Sequence, residues 1–224
     1  MTENIFKLEL KSINFAYPAK DEREDFTLTV DYFSPGQCTV IMGENGSGKT
    51  TLGKLAAGLL RPDSGCVLYN GKDIAEWKLG EIGKQAGYLF QEPARQIFAP
   101  TPIEEIALPL ELRGISKEEA QKLAWDVLRQ FELDDIAENT SYMLSRGEKQ
   151  RLAIAAAMVM KPKFFVLDEP TTGLDKRRRD ILSETLKSLM EKGLTILLIS
   201  HDKEFASSLN ADVCYMDEGR FVDG

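Results

Sequence analysis

The chain has 224 residues, enough to bury one substantial core with or without a smaller lobe. Its 28 Lys and Arg stand against 36 Asp and Glu, and a net charge of −8 argues against a protein that coats nucleic acid. Three scattered cysteines and a single histidine exclude a disulfide framework and a Cys/His zinc site, and no run reaches the roughly 18 apolar residues of a membrane-spanning helix.

Cys38, Cys66 and Cys214 therefore read as buried or free thiols in a reducing compartment. The N-terminus, MTENIFKLELKS, carries no basic-then-apolar leader, which places the chain in the cytosol unless a partner takes it to a membrane. Residues 5–15 and 26–33 alternate apolar and polar side chains, the pattern of an antiparallel strand pair. Residues 38–42 form a short apolar run that fits a buried parallel strand. Residues 50–60 follow with Leu52, Leu55, Ala56 and Leu59 on one helical face, closed by a turn at 61–65. A second buried strand at 87–90 ends at Gln91.

The middle of the chain is helical. Ser116 and Glu119 have the spacing of a capping box, followed at helical intervals by Ala120, Leu123, Ala124, Val127, Leu128 and Phe131. Leu144-Ser145-Arg146-Gly147-Glu148 opens another helix with an Ala-rich face, expected to stop near Pro162. Strand-like runs return at 164–167 and 194–200 around a helix at 176–192. That helix starts with the basic run Lys176-Arg177-Arg178-Arg179, read as a solvated face. The pattern is a βαβ core with a mostly helical insertion.

Gly43-Glu44-Asn45-Gly46-Ser47-Gly48-Lys49-Thr50 fills G-x-x-x-x-G-K-[ST] between an expected strand and helix. Glycines let the backbone N–H groups wrap phosphates, Lys49 reaches the β- and γ-phosphates, and Thr50 ligates Mg²⁺. Lys163-Phe164-Phe165-Val166-Leu167-Asp168-Glu169 adds a buried strand with two carboxylates at its C-terminal edge, where α/β sheets bind ligands. Asp168 is the expected Mg²⁺ holder and Glu169 the group that polarises the attacking water. ATP hydrolysis is the leading chemistry. A second anion-seeking helix start at Ser145 is then unexplained within one site.

In order and spacing these pieces resemble the nucleotide-binding subunits of ATP-binding-cassette transporters, over nearly the whole chain. The resemblance rests on 43–50, Gln91, Leu144-Ser145-Arg146-Gly147-Glu148, Asp168-Glu169, Gly173-Leu174-Asp175 and Ser200-His201-Asp202. It implies an α/β fold: a P-loop NTPase (RecA-like) core with N-terminal antiparallel strands and an inserted helical subdomain. Within one domain over 1–224, residues 1–91 and 161–224 would form the nucleotide-binding core and 92–160 the helical subdomain.

The resemblance also implies the site. ATP would be contacted by Tyr17, stacked on adenine, and by Gly43, Asn45, Gly46, Ser47, Gly48, Lys49, Thr50 and Thr51. Ser145 and Gly147 would approach the γ-phosphate of ATP held by an opposing chain, which accounts for the second anion-seeking helix start. Thr50, Gln91 and Asp168 would serve Mg²⁺; Glu169, His201 and Gln91 would serve hydrolysis. The family pattern is Leu-Ser-Gly-Gly-Gln, so Arg146 and Glu148 are departures. Two ATPase subunits, identical or paralogous, would pair head to tail on membrane-embedded transporter subunits, at the cytoplasmic face of the membrane and without nucleic acid.

Residues 89–101, Leu-Phe-Gln-Glu-Pro-Ala-Arg-Gln-Ile-Phe-Ala-Pro-Thr, resemble more finely the ATPases of energy-coupling-factor importers, which take up vitamins or transition-metal ions. That likeness makes 91–101 the expected contact with a membrane scaffold. Many such ATPases carry a further C-terminal dimerisation region. This sequence stops at Gly224, so nucleotide and membrane partner are expected to hold the dimer. The rivals are an ordinary importer or exporter subunit, a P-loop small-molecule kinase and a soluble nucleic-acid-acting cassette.

Overall fold

The computed structural model describes residues 6–17, 27–34 and 36–223, apart from the side chains of residues 93 and 94. Residues 5, 18 and 26 of the expected strand and adenine segments lie outside the described residues. The chain divides into two compact units: 1–88 with 163–171 and 175–224, and 89–162 with 172–174.

The first unit holds two sheets. β1 (Leu8–Ala16) pairs antiparallel with β2 (Thr27–Phe33), from Leu10 opposite Phe33 to Ala16 opposite Thr27. β3 (Cys38–Met42) and α1 (Lys49–Ala56) follow. The helix is shorter than the apolar spacing to Leu59 implied. Gly58 takes φ +69, its N–H bonds Leu55 O, and the Leu59 N–H reaches back to Lys54 O, a Schellman closure.

β4 (Ser64–Tyr69) and β5 (Lys72–Asp73) form a hairpin, and the first sheet runs β2-β1-β4-β5. Asn70 and Gly71 both have positive φ at the tip, the pair a tight two-residue hairpin requires. α2 (Leu79–Ile82) leads to β6 (Ala86–Leu89).

In the second unit a 3₁₀ turn at Pro93–Gln96 precedes α3 (Pro102–Glu111), α4 (Lys117–Gln130) and α5 (Arg146–Met158). Thr101 caps α3 with Pro102 in its first turn, and α3 packs on both α4 and α5. Ser116 caps α4 by accepting the Glu119 N–H, and only this half of the expected box forms. α4 buries Ala120, Ala124 and Leu128 but leaves Leu123 on its flank 37% exposed. α5 ends at Met158, before Pro162, where Lys161 turns left-handed and its N–H bonds Met158 O.

The chain returns to the first unit through β7 (Phe164–Asp168), α6 (Lys176–Glu191), β8 (Thr195–Ile199), α7 (Lys203–Ser208), β9 (Asp212–Asp217) and β10 (Arg220–Val222). The second sheet has the order β10-β9-β3-β8-β7-β6, with β9, β3, β8 and β7 parallel. Parallel strands covered on both faces are near-continuous apolar runs, and every residue of β3, β7 and β8 is buried. The run 176–179 is less free than a bare solvated face: Arg178 pairs with Asp175 and Arg179 with Asp202. All three cysteines are free, and burial pushes the Cys38 thiol up to about 12, which makes it inert.

Phe164 joins the two sheets. It is fully buried, stacks on Phe6 with centroids 5.9 Å apart and meets the Tyr69 ring edge-on at 6.4 Å. Tyr69 in turn donates its hydroxyl to Ala56 O at the end of α1. Phe164→Ala is expected to cost about 3–5 kcal/mol and lower the thermal midpoint by roughly 10 °C. An unchanged midpoint by calorimetry would refute this account of the inter-sheet core.

Candidate functional site

β3 feeds the loop 43–48, which turns into α1. The first glycine is demanded twice over. At φ +153, a Cβ on Gly43 would stand 2.0 Å from the Met216 carbonyl oxygen. Gly48 is the N-cap of α1 at φ +99, so the helix begins from a left-handed residue. Gly46 has φ +90, and Asn45 and Gly46 are exposed, whereas Ser47 is buried. The Lys49 ammonium lies across this loop, donating to Gly43 O at 2.7 Å and Glu44 O at 2.6 Å, with Ser47 Oγ at 3.4 Å. Burial draws the Lys49 pKa below its ordinary value, against the opposing pull of Glu169 and Asp168. Thr51 is buried, and its hydroxyl is 3.4 Å from that of Tyr17. Tyr17 is 45% exposed and braced edge-on against Phe15 at 5.0 Å, which leaves aromatic surface available for a planar ligand.

Thr50 and Asp168 are 118 residues apart in sequence, yet Thr50 Oγ1 donates to Asp168 Oδ2 at 2.9 Å. Asp168 is 3% exposed at the end of β7. Burial raises its pKa, and hydrogen bonds from Thr50 and Tyr88, then the charges of Lys54 and Lys49, pull it back. Glu169 is the next residue and holds φ +50, unusual for a side chain with a Cβ. Its N–H bonds Ile199 O at 2.8 Å, which pins this backbone against β8. Burial raises the Glu169 pKa, opposed first by His201. His201 Nε2 is 3.5 Å from Glu169 Oε1, and its side chain is 53% exposed. The phosphate loop, Thr50, Thr51, Tyr17, Asp168, Glu169 and His201 thus all belong to the first unit.

Gln91, Ser145 and Gly147 belong to the second unit. Gln91 is exposed, two residues beyond the end of β6. Ser145 is the N-cap of α5 and forms a complete capping box: it accepts the Glu148 N–H, while Glu148 Oε2 accepts the Ser145 N–H at 2.7 Å and its hydroxyl at 2.8 Å. Gly147 is buried in the first turn. Arg146 lays its aliphatic stem over Gly173, where a Cβ would meet Arg146 Cδ at 3.2 Å. The two departures from the family pattern are thus locally seated residues.

Chain spacing gave no sign of Tyr88, whose hydroxyl donates to Asp168 Oδ2 at 3.0 Å, nor of Lys54, one turn on from Thr50. The hairpins at Asn70-Gly71 and Glu218-Gly219 were detectable, since both turns show apolar–polar strands flanking a glycine.

Among the described residues no cluster of three or more His, Cys, Asp or Glu could hold a metal. One hydroxyl and one carboxylate do suit Mg²⁺, which keeps several waters and takes its other oxygens from phosphate. The Thr50 proton goes to Asp168, so the Thr50 lone pairs remain available to a hard cation.

The fold recurs in known proteins. The backbone is similar to the dimeric ATP-binding cassette MJ0796 in a post-hydrolysis state bound to ADP and Pi, with TM-score 0.86, 28% identity and coverage of 96% of this chain and 97% of that one. It is also similar to cbiO1 from Clostridium perfringens, part of the ABC transporter complex cbiONQ, with TM-score 0.82, 28% identity and coverage of 98% and 88%. An ABC transporter ATP-binding protein of Pyrococcus abyssi is 36% identical over 95% of this chain and 80% of its own length. One of Methanosarcina acetivorans is 38% identical over 93% of this chain but 34% of its own length, so the chain spans about a third of that relative. The ABC transporter family model matches residues 27–172, and the chain belongs to that family.

Proposed function

We propose that this chain is the ATP-hydrolysing subunit that energises a membrane transporter, and that the transporter is an energy-coupling-factor importer of a vitamin or transition-metal ion. The observation that carries the hydrolytic reading is the Thr50–Asp168 hydrogen bond, which unites the phosphate loop with a strand-end carboxylate pair. The first unit is then the nucleotide-binding core and the second the signature-bearing lobe.

Loop N–H groups and Lys49 hold the β- and γ-phosphates; Tyr17 offers its ring to adenine. Thr50 and Asp168 would hold Mg²⁺, which when bound neutralises phosphate charge. The Glu169 carboxylate orients the attacking water and takes its proton as the water oxygen bonds to the γ-phosphorus. The bond from that phosphorus to the β–γ bridging oxygen breaks, with ADP as the leaving group. His201, beside Glu169, donates to a γ-phosphate oxygen. In a head-to-tail pair, Ser145 and Gly147 meet the γ-phosphate bound by the opposite chain; MJ0796 is a dimeric cassette. Among the described residues no helix is long and apolar enough to cross a membrane. On this reading the transport path belongs to partner subunits at whose cytoplasmic face this subunit sits.

The importer reading rests on residues 91–101. Arg95 is exposed and pairs with Glu92 at 2.7 Å, while Phe98 is 81% exposed. An aromatic residue held in water is suited to anchor a partner helix. Gln96 is committed locally, accepting the Phe90 N–H at 2.8 Å, so it keeps the turn in shape.

Glu169→Gln is expected to retain ATP binding and lose at least about a hundredfold in phosphate release, the loss of general-base assistance. The wild-type carboxylate must be ionised to work, and burial raises its pKa. Acidification should therefore abolish hydrolysis from a pH above the ordinary glutamate range. Near-normal turnover of the variant would reject the role of Glu169.

Ser145→Arg should abolish hydrolysis and spare nucleotide binding by the isolated chain. Mixed with excess Lys49→Ala chains it should regain activity, because one intact composite site forms per mixed dimer. Zero activity after verified subunit exchange would reject composite sites.

Phe98→Asp together with Arg95→Glu should leave folding and nucleotide binding intact while weakening co-purification of the membrane scaffold and abolishing uptake. Wild-type assembly and uptake would remove this segment from the coupling surface.

A further inference from the structure

Tyr88 is a buried polar residue that the reaction above does not use. β6 delivers it, 8% exposed, with the Tyr88 ring alongside α1, where a Cβ on Gly53 would lie 3.5 Å from Tyr88 Cε2. A buried tyrosine must satisfy its hydroxyl, and a backbone carbonyl serves as well as any acceptor. Tyr69 takes that course, donating to Ala56 O. Tyr88 instead donates to the carboxylate of Asp168 at 3.0 Å.

The bond falls on a particular oxygen. Asp168 Oδ2 accepts from both Tyr88 and Thr50, at 3.0 and 2.9 Å, and Oδ1 accepts no hydrogen bond from the described residues. A single donor fixes one distance and leaves the carboxylate free to rotate about its Cβ–Cγ bond. Two donors carried by β6 and α1 restrict that rotation and fix which oxygen is turned away from them. Charge-assisted bonds of this kind are among the stronger ones in a protein interior. Groups that orient a metal-holding carboxylate typically change metal affinity by about ten- to a hundredfold when removed.

We propose that Tyr88 is a positioning residue for the Mg²⁺ site: its hydroxyl holds Asp168 so that Oδ1 and the Thr50 hydroxyl are presented together to the cation or its bound water. This rests on the reading of Asp168 as the residue that serves Mg²⁺. Tyr88 touches neither nucleotide nor metal in this account and acts only through Asp168.

The test is Tyr88→Phe in the full chain, which keeps the ring and removes only the hydroxyl. Binding of a fluorescent ATP analogue is titrated in EDTA and at graded free Mg²⁺, and Mn²⁺ binding to the protein–analogue complex is read by electron paramagnetic resonance. The half-saturating Mg²⁺ and Mn²⁺ concentrations should rise about tenfold, with analogue affinity in EDTA unchanged. Unchanged cation dependence would overturn the proposal, and so would an equal loss of affinity in EDTA, which marks a packing defect.

Asp168→Asn separates the two levels. If it loses the cation dependence while Tyr88→Phe retains it, only the role of Tyr88 falls. If Asp168→Asn retains it, the metal reading of Asp168 falls too. The double variant should bind cations no worse than Asp168→Asn alone, since Tyr88 acts through that carboxylate. Additive losses would overturn the proposed route.

Discussion

The register of three parallel strands governs the site. Ile199 on β8 lies abreast of Ile41 on β3 and of Asp168 on β7, so three chain segments leave the sheet at one level. Gly43, Glu169 and His201 each follow within two residues of that row. The pairing is held beyond the strand ends by the Glu169 N–H on Ile199 O and, more loosely, by the Ser200 N–H on Ile41 O at 3.4 Å. A slip of one residue would turn Asp168 to the opposite face and the buried side chains with it. The buried, largely apolar strands therefore protect the chemistry as well as the fold.

Placing charge at that edge has an electrostatic cost that the site meets with partners. Asp168 and Glu169 are both raised by burial and Lys49 is lowered, so all three are held in a medium that disfavours their ionised forms. Asp168 is offset by two hydroxyl donors, Glu169 by His201, and Lys49 by two loop carbonyls. These are short, local compensations. The strain at Glu169, left-handed with a full side chain, sits where backbone strain is most often tied to function.

The second unit handles its helix terminus differently. The N-terminus of α5 carries free N–H groups and the positive end of the helix dipole. Ser145 and Glu148 satisfy part of that demand reciprocally, and the Glu148 carboxylate supplies a negative charge at the same end. Where the family pattern has glutamine, this chain closes the cap with a charged group. Arg146, seated on Gly173, ties the signature to the segment that follows the carboxylates in sequence.

Much of this was legible in the residues themselves. The phosphate loop follows from glycine spacing, because only glycine takes the φ of Gly43 and Gly48. The buried strands follow from unbroken apolar runs, and Ser145 and Ser116 announce their helices because capping is local chemistry. Helix ends were less legible: α1 stops at a Schellman closure that an apolar spacing through Leu59 conceals. The outward position of Phe98 was also undecidable from sequence, since an aromatic residue beside an isoleucine reads equally well as core. Tyr88 was invisible for a deeper reason. Its partner lies 80 residues away, and their meeting is fixed by strand order and register rather than by spacing along the chain. Local backbone chemistry and apolar periodicity are written in the sequence, so the sequence alone determined the phosphate loop, the buried strands that flank it and the caps at Ser116 and Ser145. Which hydroxyl meets which carboxylate depends on packing between distant segments, and only the tertiary structure decided that.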